Sequence, residues 1–503
     1  MKKLRRTLTL FVGGFLFSSF TYAQSYIVKM TTTKDIGTPV AISVNHNSKA
    51  FTIDWGDGQQ NTYQTDSNDM VYTIEGTVKG KVISVGGEDG WHMLNCSDCS
   101  LTQIDLSTAK NLTSLYCANN QLTTLDVRGM INLLDLDCSH NQIAKFVLTD
   151  VNAIDKDLAS IENLNISYNQ FSGAYLFKMP TLQHLKINNN AYNKFYIYDE
   201  KLKSLDCSNN QISGFLSLSM CKELQSVVCN GNAITTFTLA DQGKNIQQIV
   251  CDDNLIKTLD LDKATALSDL LCTDNQLHTV TLAPQAMLST LDAKDNSLTF
   301  SILPAKDKAP KFLAFEPQRP FDLSKAEGIL TKDNVVYAPL AANWEDRNST
   351  FINMNAFCVL NDNTNDADYQ WYSVSTDGTE TRMTECTTEA NGDYAVDNGK
   401  FAFFKGHQKA YTKLTSKSYG FVIESTPIAI GDNLTAVEHI NNDSQHLQIR
   451  VSHNSLILSS TTETGVKIFT IDGKNVWNGK VNGTIALPLP KGIYIVNNHK
   501  IIL

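Results

Sequence analysis

No set of residues in this 503-residue chain has the spacing of a catalytic centre. Its 10 histidines are scattered, and His46, His92, His140, His184, His278 and His407 each lack a partner at metal-ligand spacing. Neither a phosphate-cradling glycine loop nor a Gly-x-Ser-x-Gly elbow occurs. An enzyme is therefore not expected, and no cofactor or metal is required. Basic clusters are missing as well. Lys and Arg number 42 against 52 Asp and Glu, a net charge of −10. Nucleic acid and anionic lipid both need a clustered basic face, so neither is an expected partner. Beyond the first 23 residues no apolar run is long enough for a bilayer span of about 20 residues.

What is present begins with a tripartite N-terminus. Lys2, Lys3, Arg5 and Arg6 precede the apolar run Leu8 to Phe17, and Thr21-Tyr22-Ala23 follows. This pattern predicts a cleaved secretory signal over residues 1–23 and an exported, extracellular chain. Cleavage would remove four positive charges and no acid, taking −10 to −14. With 42% apolar and 19% charged residues, the remainder suits folded domains, and its length requires several of them.

An asparagine returning about every 21 residues organises the centre. It stands at Asn120, Asn141, Asn169, Asn190, Asn210, Asn232, Asn254, Asn275 and Asn296. The spacings are 21, 28, 21, 20, 22, 22, 21 and 21. A degenerate first unit carries Cys99 in that slot. Each unit opens with Leu-x-x-Leu-x-Cys, as in Leu112-Thr-Ser-Leu115-Tyr-Cys117. Alternation within that segment predicts a short strand with the leucines and cysteine inward. An inward asparagine carries donors and an acceptor for the backbone groups that a turn leaves unpaired. A coil this short leaves little room for a helix, so the return side should also be extended. The 28-residue interval holds seven extra residues in Asp150 to Asn163, expected to bulge between coils as a functional loop or a tolerated insertion.

The frame also accounts for most of the 11 cysteines. Cys96, Cys117, Cys138, Cys207, Cys229, Cys251 and Cys272 share one slot, filled elsewhere by Ile166, Ile187 and Ala293. A slot that accepts Cys, Ile and Ala is apolar packing space, so these thiols should form a buried ladder rather than metal or redox sites. Cys221, Cys358 and Cys386 fall outside it. Cys358 and Cys386 are the candidates for a bridge in an exported β-domain.

Short strand-like runs flank the repeats. Residues 24–90 contain five of them and the turn Trp55-Gly56-Asp57-Gly58. Asp54 and Asp57 are open to calcium, but Asp-Gly also serves tight turns for backbone reasons. A solenoid exposes an apolar cross-section at its end, so this module is expected to cap the repeats. Residues 305–430 read as β again, with Trp371 in a central strand and hairpin turns at Asp377-Gly378 and Asn398-Gly399. Residues 431–503 read as a linker and a last small β unit with a hairpin at Asp472-Gly473.

Four resemblances follow from these residues. The array over 91–304 resembles bacterial leucine-rich repeats of the internalin J type, which carry a cysteine in the ladder. Trp55-Gly56-Asp57-Gly58 resembles the signature of PKD-like β-sandwiches. Trp371 with Cys358 upstream is similar to the core of an Ig-like sandwich. Gly465 to Val476 with Leu489 to Val496 resembles the sorting domain of the type IX secretion system of Bacteroidota, with Lys474 where a basic arginine is usual. The expected fold is thus mainly β: a leucine-rich repeat solenoid, a PKD-like cap, an Ig-like sandwich and a small sorting domain. The resemblances imply a secreted, outer-membrane-attached surface protein of internalin-like type. Such proteins are associated with adhesion, biofilm and virulence. Their sorting domain engages the type IX machinery and is commonly removed as the chain is joined to surface lipopolysaccharide.

The frame also says which side chains face outward. On the first strand of each unit, Val228, Val250 and Leu271 are consecutive outward residues. On the return side, counting six from each asparagine gives Val147, Tyr175, Tyr196 and Leu216, with Phe177, Tyr192 and Tyr198 nearby. Contiguous exposed apolar residues mark interaction sites. The expected function is binding of a protein or glycan on a host or bacterial surface. The alternative is a matrix protein that self-associates through the Tyr175–Leu216 patch.

Overall fold

A computed structural model describes residues 26–502 apart from 47–49, 65–70, 88–90, 151–152, 333–334, 432–446, 453–454, 471–473, 491–492 and 497–498. The expected signal over 1–23 and the Asp472-Gly473 turn lie outside the described residues. The chain forms two compact units. One comprises 1–322, 356–369 and 413–425; the other comprises 323–355, 370–412 and 426–503. Among the described residues no helix is long and apolar enough to cross a membrane.

The first unit is built on eleven parallel strands, from Trp91–Asn95 to Phe312–Ala314, most only three residues long. They stack in one register, Leu94 on Leu115, Leu115 on Leu136, and so on to Leu291 on Leu313. We number the coils 1 to 11 along this stack. Leucine dominates the central position because it points into a coil interior that neighbouring coils close from both sides. Leu115, Leu136, Leu164, Leu185 and Leu205 are all buried. The seven ladder cysteines are buried and free, as the Cys/Ile/Ala interchange predicts. Burial pushes all seven thiols up.

The asparagines stitch each coil to the one before it. Asn254 is typical. Its Oδ1 accepts the Ile234 amide of the preceding coil at 2.9 Å. Its Nδ2 donates to the carbonyls of Cys229 (3.0 Å) and Cys251 (3.2 Å), one in each coil. Residues immediately before the asparagine take left-handed backbone: Asn119, His140, Tyr168, Asn189, Asn209, Gly231, Asp253, Asp274 and Asp295 all have φ between 50° and 66°. That conformation favours Gly, Asn and Asp, which explains the acids beside the ladder at Asp253 and Asp274 without any ligand. The array runs one coil beyond the expected end at residue 304. Phe315 fills the ladder slot, and Gln318 Oε1 accepts the Leu298 amide (2.9 Å) while Nε2 donates to Ala293 (2.8 Å). Glutamine thus does in coil 11 what asparagine does elsewhere.

Return sides are extended in four pairs: Thr124–Asp126 with Lys145–Val147, Ser172–Phe177 with Ala191–Ile197, Ser213–Leu218 with Ala233–Leu239, and Thr258–Leu261 with Thr279–Leu282. The insertion in coil 3 does not hang free. Ala153, Ile154, Leu158 and Ile161 are buried, and Asp157 accepts the Gly129 amide (2.9 Å) and the Thr149 amide (2.6 Å).

Both ends of the stack are covered. At coil 1, Pro39–His46 pairs antiparallel with Trp91–Asn95, and Tyr26–Thr32 pairs antiparallel with Leu101–Asp105. Two open edges are thereby closed, the standing hazard of an exposed sheet. The Trp55 turn holds this module together. Asp54 accepts the amides of Gly56 (2.8 Å) and Gly58 (3.1 Å), and Asp57 pairs with Lys79 at 2.8 Å. These carboxylates therefore serve the turn. Trp55 lies over Gly76, where a Cβ would come within 2.3 Å of the indole. At coil 11, the Phe421 ring stands 5.4 Å from Phe315, Tyr419 donates to the Pro304 carbonyl (2.7 Å), and the Asn361 amide donates to Leu303 (2.9 Å).

In the second unit, Trp371 is buried with edge contacts to Phe403 (4.9 Å) and Phe401 (5.8 Å), joining two sheets. Cys386 of this unit and Cys358 of the first are each a buried free thiol, so the bridge considered for them is not formed. The last strands, Leu447–Ser452, Ser455–Thr470, Asn475–Pro488, Ile493–Val496 and His499–Ile502, form one sheet around Leu456, Leu458, Val466, Ile468 and Val481.

Candidate functional site

Two outward columns flank the central leucines of the parallel sheet. In one, Val228, Val250 and Leu271 are aligned in register on coils 7, 8 and 9, as the repeat frame predicts. All three are half-buried, because neighbours about 4.8 Å away cover part of each side chain. The strip ends in acids, Asp206 before it and Asp292 after it, with Asp292 paired to Lys294 at 3.3 Å.

Beside the strip runs a polar row in which one lysine and one aspartate balance and the rest are amides, hydroxyls and a histidine. His184, Ser204, Ser226, Gln248 and Asp269 occupy the other outward column, and Lys203, Gln225, Gln247 and Ser268 precede them. Together they line an open groove of about 350 Å³. The groove is ordered by its own hydrogen bonds. Lys203 donates to Gln183 (2.8 Å), Ser226 to Gln248 (2.9 Å) and Ser268 to Asp269 (2.8 Å), while Ser204 meets His184 Nδ1 at 2.7 Å. Amides and hydroxyls offer donors and acceptors without a net charge. Next to an apolar strip they suit recognition better than proton transfer. The Ser204–His184 contact is the one hydroxyl–imidazole pair among the lining residues, and it is solvent-exposed. At the margin, burial pushes the Asp252 carboxyl up, and it accepts the Thr273 amide at 2.7 Å.

The return-side patch is not arranged as the count of six predicts. Leu216 is buried, 1% exposed, whereas Phe215 is 54% exposed. Tyr196 is exposed as expected, at 45%, and Tyr198 is exposed, but Tyr192 is buried. Tyr175 lies in a described strand, yet its side chain and that of Phe177 are outside the described residues. Backbone register pairs Tyr175 with Phe195, and Leu176 with Tyr196. The cause is local. Ser213-Gly214-Phe215 puts three residues between the inward Ile212 and Leu216, where other coils have two, and the backbone register shifts in the same way at Gly173 and Ala174. Gly173 and Gly214 absorb the extra residue at φ 81° and 76°. The count from the asparagine is therefore one short in coils 4 and 6. The Ser-Gly pairs were the available signal, and Phe215 is the residue they would have identified.

The Leucine Rich Repeat family model matches residues 201–222 of this chain. No curated protein matches it. Among solved structures, the chain is similar to the functional domain of InlJ from Listeria monocytogenes, whose description includes a cysteine ladder. Identity there is 17%, covering 67% of this chain and 90% of that one, with a TM-score of 0.32. It is also similar to the leucine-rich repeat domain of APL1B, at 19% identity over 43% of this chain and 62% of that one, TM-score 0.33. YopM from Yersinia enterocolitica shows 17% identity over 46% and 74%, TM-score 0.20. The stacked coils, central leucines and asparagine ladder make the fold a leucine-rich repeat solenoid.

Proposed function

We propose that this chain is a non-enzymatic binding protein of the cell exterior, and that its ligand docks on the parallel sheet at coils 6 to 9. The observation that carries the reading is the in-register strip Val228–Val250–Leu271 lying beside the neutral groove. A rigid scaffold holds both at fixed spacing, so an apolar edge and a hydrogen-bonding edge meet the ligand together. The ligand is a protein or glycan of a host or bacterial surface, and the role is adhesion or matrix formation. Export follows from the tripartite N-terminus, and surface retention from the C-terminal resemblance to a type IX sorting domain.

Val250→Lys should test the docking face. It places a charge in the strip without touching the coil interior, so the melting temperature should hold. Binding of the labelled chain to whole bacterial and epithelial cells should fall at least tenfold, about 1.4 kcal/mol. Thr238→Lys on the return side should leave binding unchanged. The opposite ranking would place the ligand elsewhere. Run on cells expressing the full chain, the same assay reads export, since deleting 435–503 should abolish surface display.

A further inference from the structure

One turn recurs at the corner of the coils, opposite no part of the binding strip. The carbonyls of Met130, Leu158, Met179, Asp199, Cys221 and Ala264 each accept the amide three residues on, so these residues occupy equivalent places in coils 2 to 6 and coil 8. All are buried. Five are apolar or a thiol; Asp199 is a carboxylic acid in the middle of them.

Asp199 is 2% exposed. Its Oδ1 accepts the Met179 amide from the coil below at 2.8 Å. Its Oδ2 is buried and accepts no hydrogen bond among the described residues. From the coil above it is met by the Cys221 thiol, itself pushed up to about 12, first by burial and then by the carboxylate's charge. Lys178, Glu200, Lys201 and Lys222 are neighbours in sequence, but all are exposed, and Lys222 pairs with Glu200 at 3.0 Å. Among the described residues no ion pair involves Asp199, and burial and the Met179 amide are what act on it. A buried carboxylate with half its lone pairs unused favours its neutral form. Burial accordingly raises the carboxyl from 3.8 to about 6, opposed only by the Met179 amide.

We propose that Asp199 is a pH-operated latch: neutral, it lets coils 4, 5 and 6 close on an apolar corner; ionised, it opens that corner and uncovers Cys221. The sign is fixed by linkage. Because the acid is weaker in the closed state, stability of the corner is complete below pH 3.8 and is lost as pH rises towards 6. Opening is local, since the ladder cysteines belong to the coil interior and not to this turn.

Residue-resolved labelling of the full chain with a pyridyl disulfide, from pH 4 to pH 8, tests the latch. The rate at Cys221 is divided by the rate in Asp199→Asn at each pH, which cancels the ordinary ionisation of the thiol. This ratio should grow about 100-fold between pH 4 and pH 8 and level off above pH 6. Cys207 and Cys229 should stay protected throughout. Asp199→Met restores the side chain found at Met130 and Met179, and should protect Cys221 at pH 8 as the asparagine does. A ratio independent of pH, failure of both variants to protect, or labelling of Cys207 and Cys229 in step with Cys221 would overturn the proposal.

Discussion

Asn275→Ala should lower the stability of the chain by about 3 kcal/mol or more, while Gln276→Ala, one residue on, changes it by less than about 0.5 kcal/mol. Asn275 is 1% exposed, and its amide does four things at once. Oδ1 accepts the Ile256 amide at 3.0 Å, and Nδ2 donates to the carbonyls of Cys251 (2.9 Å), Cys272 (3.3 Å) and Thr273 (3.2 Å). Alanine leaves one buried donor and up to three acceptors without partners. A buried polar group left unpaired costs about 1–3 kcal/mol, and water cannot reach all of these. Gln276 is exposed, and only its backbone takes part in the coil. Chemical denaturation of the two variants decides the matter. Equal midpoints would mean that the asparagine does not face the interior.

The larger effect is expected from shortening. A chain of residues 24–304 should fail to give a soluble monomer, whereas 24–431 should fold. Ending at 304 removes Phe315, whose ring contacts Phe300 (6.1 Å) and Phe421 (5.4 Å), and Gln318, which pairs Leu298 and Ala293. Phe300, Ile302 and Leu303 would then face solvent across an open coil edge. Burying such side chains contributes about 1.5–3 kcal/mol each, so roughly 5–10 kcal/mol is lost with the last coil and its cover. That is comparable with the whole stability of an ordinary domain. Size-exclusion chromatography and a thermal melt of the two lengths test it. A well-behaved 24–304 would show that coil 10 is a sufficient end and that the aromatic cover is ornamental to folding.

Both results concern how far a period can be read. The asparagine and cysteine columns were legible because nine coils repeat them, and a slot that alternates Cys, Ile and Ala can only be interior. The same period placed Val228, Val250 and Leu271 in one register, since first strands vary little in length. It failed where the chain adds a residue without moving the next asparagine. Ser213-Gly214 does so, and Leu216 turned inward while Phe215 turned out. It failed again where function was kept but identity changed. Gln318 and Phe315 fill the two defining slots of coil 11 with residues that no earlier coil uses there. Asp199 illustrates a third kind of failure. Its slot lies six residues before the central inward residue of each next strand, as Met179 does before Leu185 and Asp199 before Leu205, but the frame was read from the leucine, cysteine and asparagine columns and not from this one. The contacts of Phe421 and Tyr419 with the last coil link residues more than a hundred positions apart, and no local pattern encodes them.

One frame decides, residue by residue, what is interior and what is available to a ligand. Val250 and Cys251 are adjacent in sequence and are assigned opposite faces. Val250→Cys, labelled in the native state with a thiol reagent and read by peptide mass spectrometry, puts a thiol on each. The account predicts that position 250 reacts within minutes while Cys251, with Cys229 and Cys272 on either side, stays unlabelled until the chain is denatured. Rapid labelling of Cys251, or protection of position 250, would contradict it.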